Sequence, residues 1–271
     1  MLTSLQKQVI AVIAKLRDEG SYLAGGAVLN QLTSRVSDDL DVFLDDERLV
    51  LAVARRDIEA LRAAGFVVVE DMMLFGFAEA TINAAAGDAT KIQWMSESAY
   101  RFFPLQKDAE LGFRLHDVDL AVNKAIAGAS RKKARDIVDL AMIDERYMQL
   151  GALVWAAAGG KTAMSPIMML DNIVHNAAVH SPIEYRMLRS IEPIDGAAIL
   201  ARIQTASQQA RDFCRAAPVE TLGHVFLGPD ARPVAPTIEE ILRGRVHAHA
   251  ITERGAWPSF PDADPQLPGA G

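Results

Sequence analysis

Between Tyr22 and Asp46 the chain reads YLAGGAVLNQLTSRVSDDLDVFLDD, two adjacent glycines followed by two aspartates one residue apart. Residues 22–24 and 40–44 have the character of strands, and Gly25 and Gly26 open the helical stretch AVLNQL between them. Side chains alternate along a strand, so Asp39 and Asp41 share one face while Leu40 and Val42 point to the covered side. Two carboxylates then crowd one small volume. At about 4 Å they repel by roughly 4 kcal/mol at an effective dielectric of about 20, so the pair calls for a divalent cation, a shared proton or arginine partners. Magnesium, or manganese in its place, suits it, because magnesium takes oxygen from one or two carboxylates and completes its shell with substrate phosphates. The glycines leave backbone N–H groups at the helix start open to an incoming phosphate. Gly-Gly alone is a turn and Asp-x-Asp alone a loop or cap; their combination is more specific.

The rest of the chain falls into two regimes. Up to Glu97, residues 66–70, 74–80 and 90–95 read as further strands, with a helical period over 49–64 stopped at Gly65. From His116 nearly every segment is helical. The boundary lies between Ser98 and His116, set at residue 105, giving an α/β domain over 1–105, a helical domain over 106–254 and a disordered tail over 255–271. The N-terminus reads as an amphipathic helix rather than a signal peptide, and no apolar run is long enough to span a bilayer, so no membrane partner is expected. The single cysteine, Cys214, fits a reducing compartment, the cytoplasm. A net charge of −7 argues against a general nucleic-acid coat, although SRKKAR, from Ser130 to Arg135, is a dense basic patch.

The segment AGGAVLNQLTSRVSDDLDVF resembles the first motif of the minimal nucleotidyltransferase superfamily, especially its AbiEii/AbiGii-type toxin branch, where Gly-Gly or Gly-Ser precedes Arg-x-Ser-x-Asp-Leu-Asp. LHDVDLAVNKAIAGASRKKARDIVDLAMI, from Leu115 to Ile143, is similar to that branch's later motifs, a helical lysine followed by a basic stretch and an Arg-Asp-x-x-Asp-Leu helix. The resemblance implies an α+β fold, a nucleotidyltransferase-like mixed sheet with flanking helices followed by an α-helical domain. It also implies that Asp39 and Asp41 hold the metal, that Gly25, Gly26 and Ser37 contact a nucleoside triphosphate, that Lys124 neutralises phosphate charge and that Asp136 completes the site. Without it, Lys124 and Asp136 read as solvated helix residues, with Arg135–Asp139 and Lys132–Asp136 as ordinary surface pairs.

One departure stands out. The superfamily commonly places a third carboxylate on a later strand, and here Gln93 in TKIQWM stands there; glutamine is neither a base nor an anionic ligand. Either Asp136, Glu79 or Glu97 supplies the acid, or catalysis is altered or lost. GGKT, Gly159 to Thr162, ends like a P-loop but has Trp155 where the earlier glycine belongs. The histidines of HAHA and HNAAVH lack a ligand framework. The expected activity is transfer of a nucleoside monophosphate from an NTP to an acceptor, whether RNA, protein or small molecule, in a toxin that an antitoxin would partner. The alternative is a silent relative that binds a nucleotide or a protein.

Overall fold

A computed structural model describes residues 2–29, 34–84, 87–191 and 193–258 of the chain. Helix α1 (Ser4–Ile13) starts at Thr3, whose hydroxyl accepts from the Gln6 N–H while the Gln6 side chain accepts from the Thr3 N–H, a reciprocal cap. Strand β1 (Ser21–Ala24) runs directly into the short helix α2 (Gly25–Leu29), and β2 (Asp39–Leu44) returns antiparallel beside it, with Ala24 opposite Asp41. Helix α3 (Val50–Ala63) leads into the meander β3 (Val67–Leu74), β4 (Phe77–Asn83) and β5 (Ala89–Ser96), and β5 lies parallel to β2.

The expected strands at 66–70 and 74–80 are shifted. The first continues to Leu74, which pairs with Phe77, and the turn falls on Phe75 and Gly76 because Gly76 takes φ of 76°. A short strand β6 (Tyr100–Arg101) lies apart, after which β7 (Gln106–Asp108) and β8 (Gly112–Arg114) rejoin the sheet, giving the order β3-β4-β5-β2-β1-β8-β7. The sheet thus takes in residues past 105.

Alternation along the central strands separates two faces. Leu40, Val42, Leu44, Ala78, Ala80, Ile82, Ile92 and Trp94 are fully buried beneath α1 and α3, which contribute Val9, Ile13, Ala54, Ile58 and Leu61. Each large side chain so buried is worth about 1.5–3 kcal/mol. The opposite face carries Asp39, Asp41, Phe43, Gln93 and Met95, half-buried along a cleft.

The second half contains α4 (Asp117–Ser130), α5 (Ala134–Arg146), α6 (Leu150–Ala157), α7 (Pro166–Ala178), α8 (Pro182–Arg186) and α9 (Gly196–Ala216). Helix α4 packs against α5, α6 and α7, approaching α5 closely at Gly128, where a Cβ would collide with Leu140. The helical period ends at α9. A small sheet follows, with β9 (His224–Leu227) between β10 (Pro233–Val234) and β11 (His247–Ala250), and helix α10 (Ile238–Leu242) intervenes along the chain. Strand β12 (Thr252–Glu253) then pairs with β6. Such strands of two to four residues are too short to register as alternation. Residues 255–258, inside the expected tail, also make contacts: the Ala256 N–H donates to the Phe102 carbonyl and Trp257 meets Phe103 edge-on. The remainder of that tail, 259–271, lies outside the described residues. Among them no helix is long and apolar enough to cross a membrane.

The two halves meet at the segment preceding β2. The Val36 N–H donates to the Arg189 carbonyl at 2.8 Å, the Ile191 N–H to the Ser34 carbonyl at 3.1 Å, and the Ser190 hydroxyl to that same carbonyl. This clamp fixes the approach to the Asp39–Asp41 strand from the helical side.

Candidate active site

A cleft of about 600 Å³ opens between the uncovered sheet face, α2, α4, the start of α5 and the loop carrying Gly160 and Lys161. Asp39 and Asp41 lie together on its sheet wall, and Gly25 and Gly26 line it from the β1–α2 junction. Gly25 has φ of 69°, and a Cβ there would collide with the Asp41 carboxylate, so only glycine lets the acid lie against the turn. Gly26 has a comparable constraint: its Cβ would stand 2.8 Å from the Ser37 hydroxyl and 2.9 Å from an Arg35 nitrogen. Both neighbours are held in place, Ser37 by complete burial and Arg35 by a buried ion pair. Gly26→Ala is therefore expected to cost about 1–3 kcal/mol of stability; an unchanged urea midpoint would show that the neighbours yield freely.

Ser37 is not where a nucleotide ligand would be. Its side chain is fully buried under the strand, does not line the cleft, and donates to Asp39 Oδ1 at 3.1 Å. The turn through Arg35 and Ser37 packs beneath Gly26, which turns the hydroxyl inward. Ser37 thus orients Asp39 rather than facing a ligand.

The aspartate pair is electrostatically uneven. Arg135 stands 3.2 Å from Asp39 Oδ2. Asp41 has no ion pair among the described residues, and burial, reinforced by the negative charge of Asp39, pushes its carboxyl from 3.8 up to about 7, against the opposing pull of Arg135, Lys124 and Arg131. Because the folded chain holds this proton to higher pH than the unfolded chain, its contribution to stability is full below about pH 4 and fades as pH rises to about 7. A divalent cation needs the deprotonated pair. For manganese held by this pair, affinity should climb up to about pH 7 and then level off, with proton release visible as buffer-dependent heat in calorimetry; a flat profile between about pH 5.5 and about 8 would contradict a role for Asp41 as a ligand.

Lys124 and Asp136 differ most from their expected setting. Both line the cleft, but neither is solvated: Asp136 is fully buried and Lys124 is 9 % exposed. The Lys124 amine donates to Asp136 at 2.8 Å and stands 3.1 Å from Asp139, while Arg35 forks onto both Asp139 oxygens at 2.8 and 3.0 Å. Arg131 reaches Asp136 at 3.2 Å. The expected surface pairs do not form, since Asp139 is buried and Arg135 turns to Asp39. Asp136 accepts from Lys124 and Arg131 at Oδ1, while its buried Oδ2 has no hydrogen-bond partner, and no three His, Cys, Asp or Glu side chains gather into a metal-sized cluster among the described residues. The structure does not gather Asp136 with Asp39 and Asp41 into such a cluster.

Gln93 does stand beside it, directly opposite Asp41 in the parallel β2–β5 ladder. Glu79 lies opposite Gln93 one strand further out, and Glu97 lines the cleft just after β5, its carboxyl raised by burial against the pull of Lys161.

Comparisons with known proteins add little at this level. No protein-family model matches the chain, and neither does any curated protein. Among solved structures it is similar to MenT4, a nucleotidyltransferase toxin from Mycobacterium tuberculosis H37Rv, with 14% identity and a TM-score of 0.48 over 78% of this chain and 85% of that one. It is also similar to a cytoplasmic RNA terminal U-transferase, with 12% identity and a TM-score of 0.28 over 74% of this chain and 65% of that one. At such scores the chemistry has to be read from the cleft's own residues.

Two of these were passed over in the sequence. Lys161, from the failed P-loop motif, lines the cleft on the helical side, its amine donating to Asn123 at 2.9 Å and lying 3.5 Å from Asp119. Arg135, which helical spacing assigns to the surface of α5, is the cation nearest the aspartate pair among the described residues. Helical periodicity places Arg135 on a polar side of α5, and Lys161 follows α6 in a loop, but neither position gives a sign of the wall they meet. The only hint was their basic type.

Proposed function

We propose that the chain is a metal-dependent nucleotidyltransferase that moves a nucleoside monophosphate from an NTP to an acceptor hydroxyl. The observation that carries this reading is the Asp39–Asp41 pair, seated against Gly25 on the wall of a cleft that also presents Arg131, Arg135 and Lys161. The donor set fits a magnesium or manganese ion, two hard carboxylate oxygens with room for substrate phosphate, and the buried Asp41 carboxyl gains most from such a charge. When bound, the ion would neutralise phosphate charge and help align it.

The protein's own residues do the rest. Gly25 and Gly26 leave the β1–α2 junction open on the cleft side for the triphosphate, and Arg131, Arg135 and Lys161 offset its charge. Lys124, held by Asp136 and Asp139, lines the cleft and contributes its field there, with two of its three N–H donors directed to those carboxylates. In the reaction the acceptor oxygen bonds to the α-phosphorus as the α–β anhydride breaks, pyrophosphate leaves, and the hydroxyl proton passes to a carboxylate of the cleft, Gln93 being unable to take it. The acceptor is an RNA end, a protein hydroxyl or a small molecule. We assign the chain to the AbiEii/AbiGii-type toxin branch, with an antitoxin as partner and the cytoplasm as its compartment, on the motifs from Ala24 to Phe43 and from Leu115 to Ile143.

A second reading, a silent nucleotide- or protein-binding relative, draws on Gln93 in the third-acid place and on the lack of a three-ligand cluster among the described residues. Incubation with each of the four NTPs, magnesium and total RNA separates the two. Pyrophosphate release that stops on chelation supports the transferase; saturable nucleotide binding with no release supports the silent relative.

A further inference from the structure

Gln93 is more than a missing acid. Its amide nitrogen donates to Glu79 Oε2 at 2.5 Å, and the Lys91 amine donates to Glu79 Oε1 at 2.6 Å. Across the strands the order is Asp41, Gln93, Glu79, in register, and Gln93 lines the cleft whereas Glu79 does not. An ionised carboxylate offers only acceptors, so the side of Gln93 that meets Glu79 must be its NH₂ group. The amide is planar, so its carbonyl oxygen is turned away from the Glu79 contact, and Asp41 is the residue in register with Gln93 on the neighbouring strand opposite to that of Glu79. Glu79 is itself fixed, with one oxygen on Lys91 and the other on Gln93.

We propose that Gln93 supplies a neutral oxygen ligand to the cation held by Asp39 and Asp41, and that Glu79 is a positioning residue that holds the Gln93 amide in the orientation that makes this possible. The inference rests on the reading of Asp39 and Asp41 as the metal pair. A neutral oxygen completes the coordination of a hard divalent ion without adding a third negative charge to the two already crowded there. A residue that orients a ligand typically changes metal affinity about 10–100-fold when it is replaced.

The test is manganese binding to the full chain without nucleotide, with free ion counted by electron paramagnetic resonance, in wild type, Gln93→Met, Glu79→Gln, the double variant and Asp41→Asn. Gln93→Met keeps the side-chain length on a half-buried face and removes the oxygen; it should weaken binding about tenfold. Glu79→Gln should weaken binding by a similar factor when Gln93 is present and by no more than about threefold in the methionine background, because only the orienting part of its effect passes through Gln93. Equal effects of Glu79→Gln in both backgrounds would overturn the positioning role, leaving Glu79 a distant charge. Unchanged binding in Gln93→Met, with binding lost in Asp41→Asn, would overturn the ligand role while sparing the metal pair. Undiminished binding in Asp41→Asn would overturn the metal pair and this inference with it.

Discussion

Lys124→Ala should lower the stability of the folded chain by about 3–5 kcal/mol, the range for removing one partner from a buried ion pair. Its amine lies between Asp136 and Asp139, both fully buried, at 2.8 and 3.1 Å. After truncation Asp139 keeps Arg35, but Asp136 is left with only Arg131, a largely exposed side chain at 3.2 Å. Burial alone would raise the Asp139 carboxyl, and Lys124 with Arg35 overcomes this and holds it below its ordinary value of 3.8. A depressed carboxyl contributes its stability above about pH 4 and loses it on acidification, so the gap between variant and wild type should narrow below that pH. Urea unfolding followed by circular dichroism measures both effects. An unchanged midpoint with weakened triphosphate binding would mean that the lysine points freely into the cleft, as the sequence alone suggests.

Asp41→Asn and Asp39→Asn should each reduce magnesium-dependent transfer by roughly 10³-fold, since several kcal/mol of charge stabilisation depend on the bound ion and each 1.36 kcal/mol is a factor of ten. Neither change alters core volume. The two should differ in stability: Asp41→Asn removes a half-buried carboxyl whose pKa is raised to about 7, and its melting temperature at neutral pH should match or exceed wild type. Asp39→Asn also gives up the contact with Arg135, which offsets part of the gain from reduced repulsion. A loss of activity accompanied by unfolding in both would assign the pair a structural role.

Much of the fold was legible because its signals are local. Alternation in DLDVFL separates the two acids from Leu40, Val42 and Leu44, and the structure keeps that division. The glycine pair announced a close approach, although which groups approach, Asp41 on one and Ser37 with Arg35 on the other, depends on how the chain folds back. What could not be read was pairing across the halves. Arg35 and Asp139 are far apart in sequence, and each looks like a surface charge until α5 is laid against the segment before β2. Lys124 and Asp136 lie on successive helices, so periodicity puts them on polar sides, but only packing shows that those sides face each other. Glu79 and Gln93 become neighbours through strand register, which an expected strand over 74–80, running through the actual turn at Phe75 and Gly76, does not give.

The central claim is that the Asp39–Asp41 cleft transfers a nucleoside monophosphate and expels pyrophosphate. Parallel incubations with NTP labelled at the α- or the γ-phosphate, comparing wild type with the Asp39→Asn, Asp41→Asn double variant, test it most directly. The account predicts α-label on an acceptor and γ-label in pyrophosphate for wild type, with both signals gone in the double variant. Label from the γ-phosphate on the acceptor, or equal α-label transfer by the double variant, would contradict it.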